Sequence, residues 1–89
     1  MEVFKNKVVS FSAKDSVLAL KNPFFVEIKN RLFVCGQIPK KATNNDWAKN
    51  KKGYIAWDEV SDFIIFESEQ DYIKRMKKSE KWFLYRTSE

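Results

Sequence analysis

Residues 24–38 limit the possible folds more than any other stretch of this chain. Phe24, Val26 and Ile28 share one parity, while Phe25, Glu27 and Lys29 share the other. Alternation with a period of two marks a β-strand covered on one side. After Asn30-Arg31 a second run follows, Leu32 to Ile38, with Leu32, Val34 and Ile38 on one parity. Asn tolerates positive φ, so Asn30-Arg31 reads as a two-residue turn, although Gly is missing from its second position. The prediction is an antiparallel hairpin.

The remaining sequence adds further strands and one good helix. Val3 to Ser12 reads as a strand whose alternation is broken by Lys5 and Lys7. Asp15-Ser16 is expected to cap a short helical turn through Leu20. Pro23 has no N–H for a ladder, which places it at a strand start. Thr43-Asn44-Asn45-Asp46 reads as a capping box with Asp in place of Glu, opening one helical turn through Lys49. Tyr54 to Trp57 forms a strand, and Asp58 to Ser61 a turn or single helical turn. Phe63 to Phe66 is apolar on both parities, which predicts a central strand covered on both faces.

Ser68 is a good N-cap, with Asp71 at the capping-box position. The helix that follows, over about 68–78, has Tyr72, Ile73 and Met76 as its buried stripe. Glu69 and Asp71 lie in its first turn, with Lys74, Arg75, Lys77 and Lys78 toward its end. That order complements the helix dipole. Trp82 to Thr87, rich in β-favouring aromatics, reads as a last strand. The predicted fold is α+β: a small antiparallel sheet of four to six strands with the helix packed on one face.

The 89 residues make a single small domain, spanning 1–89. So short a chain buries only roughly 60–65% of its unfolded surface. Fourteen aromatics, eight of them Phe, offset the small size. Rings in excess of one small core would mark a binding face or a contact between copies. No apolar run approaches a membrane span and no secretory signal precedes the domain, so a cytoplasmic protein without membrane contact is expected. A single cysteine, Cys35, fits a reducing compartment and reads as a small buried residue rather than a nucleophile. Abundant Lys and Asn with scarce Ala fit an AT-rich genome, such as a Gram-positive bacterium or one of its phages.

Catalytic options are narrow. No His is present, which removes His bases, His-based triads and His-ligated metals. One Cys rules out a thiolate zinc site. Gly36 and Gly53 stand alone, outside any phosphate-binding fingerprint. Asp58 and Asp62 would share a face if 58–62 were helical. With Glu59 they keep a carboxylate-based hydrolase or nuclease open as a third reading. Neither a metal nor a cofactor is expected.

Charge is segregated instead. Residues 39–53 carry five lysines against one Asp, residues 58–71 carry six acids and no base, and 74–81 is basic again. Lys40, Lys41, Lys49, Lys51 and Lys52 would neutralise phosphates, and Trp47 and Tyr54 would stack on bases. Arg75, Lys78 and Lys81 would extend the patch if the helix end lies near this loop. Lysine outnumbers arginine 14 to 3, which argues against sequence-specific base reading. The first reading is a non-enzymatic binding protein for an anionic partner, either nucleic acid or a nucleotide-type ligand. The alternative is a small phage- or mobile-element-type inhibitor or adaptor that binds a host protein. There Asp58, Glu59, Asp62, Phe63 and Phe66 would form the interface. The same acidic residues would meet lysines of a second copy in a homodimer or small closed oligomer.

Overall fold

The computed structural model describes residues 4–87, and the side chains of residues 4–78. Five strands form one antiparallel sheet: β1 (Val8–Ala13), β2 (Ser16–Ile28), β3 (Arg31–Gln37), β4 (Lys52–Ala56) and β5 (Asp62–Phe66). Their order across the sheet is β4-β3-β2-β1-β5, and one helix, α1 (Glu69–Thr87), follows. This is a small α+β fold. Among the described residues, no helix is long and apolar enough to cross a membrane.

The predicted hairpin is β2–β3, with Ile28 paired to Arg31. Its turn lies one residue earlier than expected. Lys29 and Asn30 take φ of 50° and 66°, both in the left-handed region that a primed two-residue turn requires. Pro23 does not start the strand. β2 runs back through it to Ser16, and the register slips between Lys21 and Phe24. At such a bulge a missing N–H is tolerated. Asp15-Ser16 caps no helical turn either. Ala13 pairs with Ser16, so Lys14-Asp15 is the hairpin turn joining β1 to β2. β1 itself starts at Val8, because the chain turns at Phe4–Lys7, where the Lys7 amide donates to the Phe4 carbonyl at 3.1 Å. That turn explains the broken alternation. Val3, the expected strand start, lies outside the described residues.

Alternation assigns every strand two faces. On the core face Val9, Phe11, Leu20, Val34 and Ile55 are buried together with Phe4, Ile38 and Ala48. The sheet curves around this cluster, as the link from β4 to β5 demands. A flat sheet would hold these two edge strands about 19 Å apart. The linking residues 57–61, with a 3-10 turn at Trp57–Glu59, reach roughly 16 Å. Trp57 therefore crosses the concave face. Its ring meets Phe25 at 5.0 Å, Phe11 at 6.4 Å and Phe63 at 6.3 Å.

On the other face, α1 covers Val8, Ala19 and Phe66 through Tyr72 and Met76. The Tyr72 ring stands edge-on to Phe66 at 5.1 Å, and burial raises its phenol pKa. Ser68 caps the helix as expected: its Oγ accepts the Asp71 amide at 3.1 Å. Asp71 reaches back to the Glu67 amide at 3.2 Å. The helix does not stop near residue 78 but continues to Thr87, so the expected last strand at 82–87 is helical. No Gly or Pro follows Lys78 to stop it, and an existing helix extends more readily than a new element starts.

β5 is the largest departure. It is an edge strand, not a central one, and Phe63, Ile64 and Ile65 are 42%, 62% and 37% exposed. Its apolar character on both parities has a local cause. Phe63 meets Phe4 and Phe11 on the core face, while Phe66 lies under Tyr72 on the other.

Candidate nucleic-acid interface

The basic segment folds as a compact loop. The Ile38 amide donates to the Lys51 carbonyl at 2.9 Å, and the Asn50 amide to the Ile38 carbonyl at 2.8 Å, so the ends of 39–50 meet. Closure of this kind defines an Ω-loop. Inside it, Thr43–Asp46 supplies the expected helical turn in 3-10 form, over Asn44–Asp46. Thr43 Oγ1 accepts the Ala48 amide at 3.2 Å, and Asp46 Oδ1 accepts the Lys41 amide at 2.7 Å. Lys41, Asn45, Asp46 and Asn50 all take positive φ. Four such residues in a short loop hold its shape at a cost in backbone strain.

Between this loop and α1 lies a cleft of about 330 Å³. Lys21 from β2, Lys40 and Lys49 from the loop, and Lys77 from α1 line it, against one carboxylate, Glu69. Glu69 ties the parts together. Its Oε1 accepts Lys21 Nζ at 3.3 Å, and its Oε2 accepts the Lys40 amide at 3.1 Å. Burial pushes the Glu69 carboxyl up, but the Lys40 amide and the ammonium of Lys21 outweigh it, and the net shift is downward. Lys21 also donates to Asn50 Oδ1 at 2.9 Å, which links β2 to the loop.

Of the residues expected in the patch, Lys40 and Lys49 line the cleft. Lys51 and Lys52 are exposed beside it, where the loop enters β4. Lys41 lines the neighbouring hollow of about 480 Å³, with Thr43, Asn45 and Met76. Arg75 and Lys78 are not brought to the cleft. At about 100° per residue, Gln70, Ile73 and Lys77 face it, and Asp71, Arg75 and Lys78 fall on the opposite flank. Arg75 Nε instead donates to Asp71 at 3.4 Å. The Lys81 side chain lies outside the described residues. Lys21 and Lys77 are new members. Lys77 follows from the helical spacing after Ile73, whereas nothing local to Lys21 reveals its place.

Trp47 is 75% exposed, and its neighbour Ala48 takes the buried position. It does not line the cleft but projects from the same loop. Trp47→Ala should therefore change stability by less than about 0.5 kcal/mol, as substitutions at exposed sites do. A thermal melt of the variant checks this, and a fall of several degrees would contradict the exposed placement.

The sheet face that carries α1 is uncovered over β3, β4 and the part of β2 from Phe24 on, and it presents aromatic side chains. Tyr54 pairs with Cys35 and Cys35 with Phe24, so the three form one row. Tyr54 is 48% exposed and Phe24 51%, while Cys35 is buried beneath them. Contact with the Cys35 thiol raises the Tyr54 phenol pKa. In the adjacent row lie Lys52, Gln37 and Lys21. Phe33 follows on the other side of the aromatic row, with the Arg31 guanidinium over its ring at 5.5 Å. Lys21 thus belongs both to this sheet face and to the cleft, and the two surfaces are continuous through it.

The acidic residues are placed elsewhere. Arg31 donates to Asp58 Oδ1 at 3.1 Å and Glu59 Oε2 at 2.9 Å, and both bonds raise the guanidinium pKa. Asp58 and Glu59 are therefore paired within the chain rather than held ready for a second copy. Asp58 and Asp62 do not share a helical face, since the 3-10 turn ends at Glu59 and Asp62 opens β5. Among the described residues, no three Cys, Asp or Glu side chains group as metal ligands. No protein-family model, curated protein or solved structure matches this chain.

Proposed function

We propose that this protein binds single-stranded nucleic acid without catalysing a reaction on it. The observation that carries the reading is the double role of Lys21. It joins a cleft of four ammonium groups to a sheet face bearing exposed Tyr54 and Phe24. Lysines would follow the phosphates, and the rings would take bases by stacking, a mode that tolerates any sequence. The scarcity of arginine agrees with backbone attraction rather than base reading. A mononucleotide fits less well. Small-ligand sites are mostly apolar and enclose their ligand, and here Ile73 is the single aliphatic side chain lining a polar, open cleft.

The test is fluorescence anisotropy with a labelled short oligothymidine at low salt, with ADP as competitor. The oligonucleotide should bind and ADP should fail to displace it. Tyr54→Ala should weaken binding roughly 5- to 150-fold, the equivalent of about 1–3 kcal/mol for one stacked base. Absence of oligonucleotide binding at low salt, or displacement by ADP at comparable concentration, would overturn the proposal.

A further inference from the structure

Among the described residues, β5 hydrogen-bonds to β1 alone, so its outer backbone edge is open. Natural edge strands are guarded by charged side chains, Lys above all, by Pro or by a bulge. The opposite edge strand, β4, carries Lys52. β5 reads Asp-Phe-Ile-Ile-Phe, with no Lys or Pro and with its one charge, Asp62, at its first position. Ile64, at its centre, is 62% exposed. We infer that β5 pairs antiparallel with β5 of a second copy about a two-fold axis through Ile64, making one ten-stranded sheet. This inference is independent of nucleic-acid binding.

The register is self-complementary. Centred on Ile64, it sets Phe63 against Ile65 of the second copy on the core face. On the helix face it sets Ile64 against its own counterpart and Asp62 against Phe66. No two like charges stand opposite one another within the strand, and opposed like charges would destabilise it. Lys7 Nζ binds Glu67 Oε1 at 2.8 Å, which offsets the carboxylate just past the strand.

Charge complementarity favours a second copy over an unrelated strand. Because one flank of α1 faces the cleft, the other, with Arg75 and Lys78, looks out past β5. Asp62 lies on the same sheet face as the helix, since its partner Ser12 shares a face with Val8. In the paired sheet Asp62 sits at the foot of the second copy's helix, on the flank that carries Arg75. Three strand spacings separate the two β1 strands that the helices cross, about 14 Å. That exceeds helix–helix contact distance, so the helices do not collide, yet extended Arg and Lys side chains reach across it. Arg75, paired with Asp71 in its own helix, thereby gains a second carboxylate in Asp62 of the second copy.

Light scattering on the full chain at micromolar concentration should give twice 10.6 kDa. Ile64→Lys places a guard on the edge and should leave a monomer. Asp62→Arg should weaken the dimer about 2- to 30-fold, for two symmetric pairs each of cross-strand strength. Adding Arg75→Asp to it should restore affinity, which also keeps the test valid if Ile64→Lys fails to fold. A monomeric parent, an assembly larger than a dimer, a dimeric Ile64→Lys or a double variant without recovery would each overturn the inference.

Discussion

Raising salt from about 50 to about 200 mM should weaken single-strand binding about fiftyfold. That figure follows from four phosphates neutralised at Lys21, Lys40, Lys49 and Lys77, each adding about −0.7 to the log–log slope. The variant Lys49→Ala/Lys77→Ala should bind more weakly at low salt and lose only about sevenfold over the same range, since two phosphate contacts remain. These two lysines are the right choice because neither supports the fold. Lys21 Nζ bridges Asn50 and Glu69, so a change there would alter the loop as well as the charge. Anisotropy titrations at several salt concentrations measure both slopes. Equal slopes for parent and variant would mean that the phosphates lie elsewhere, even if the affinity is high. Monovalent screening length shrinks over this range, so the comparison must be made at matched salt.

How much of this site was legible depends on the range of each signal. Alternation within 24–38 is local, and it delivered the hairpin with Phe24 and Val26 on one face. It could not say which face of the sheet would be covered. Cys35 is buried and Phe24 is not because Cys35 is the middle residue of a row flanked by the larger Phe24 and Tyr54, and Tyr54 comes from β4, nineteen residues later. Asn30 signalled a turn correctly. Without Gly to fix the second position the register was ambiguous by one residue, and Lys29 accepted positive φ. The basic loop was visible as composition, but Lys21 joins it only through folding of β2 against the loop. The failure at β5 has a different root. A doubly apolar strand reads as central because both faces must be covered, and here one face meets the curved core while the other meets Tyr72. Strand order, which decides edge from centre, leaves no trace in a single strand's pattern. At 82–87, residue preference favoured a strand, and continuation of an already formed helix prevailed.

Phe11→Ala should produce the largest loss of stability of any change considered. Phe11 is fully buried in β1, between Leu18 of β2 and Phe63 of β5 in the register. Its ring meets Phe4 edge-on at 5.6 Å, Phe63 at 5.9 Å and Trp57 at 6.4 Å. Truncation removes one ring from a cluster that bridges the two edges of the sheet, and costs about 3–5 kcal/mol. A domain of this size has about 5–15 kcal/mol in all. The melting temperature should fall by roughly 12–40 °C, and tryptophan fluorescence in a Trp47→Phe/Trp82→Phe background, where Trp57 is the remaining indole, follows the transition because that ring is part of the cluster. A melt within a few degrees of the parent would show that the concave face is not the core. The consequence reaches the proposed binding surface, because the same strands carry both. Leu20 and Ile55 are buried on the core face one residue from Lys21 and Tyr54. Curvature set by the cluster therefore fixes the separation of Tyr54 and Phe24 and the entry of Lys21 into the cleft. Phe11→Ala should lose nucleic-acid binding in step with its unfolding. Lys49→Ala/Lys77→Ala should lose it with the melt unchanged, and that contrast separates the scaffold from the surface it presents.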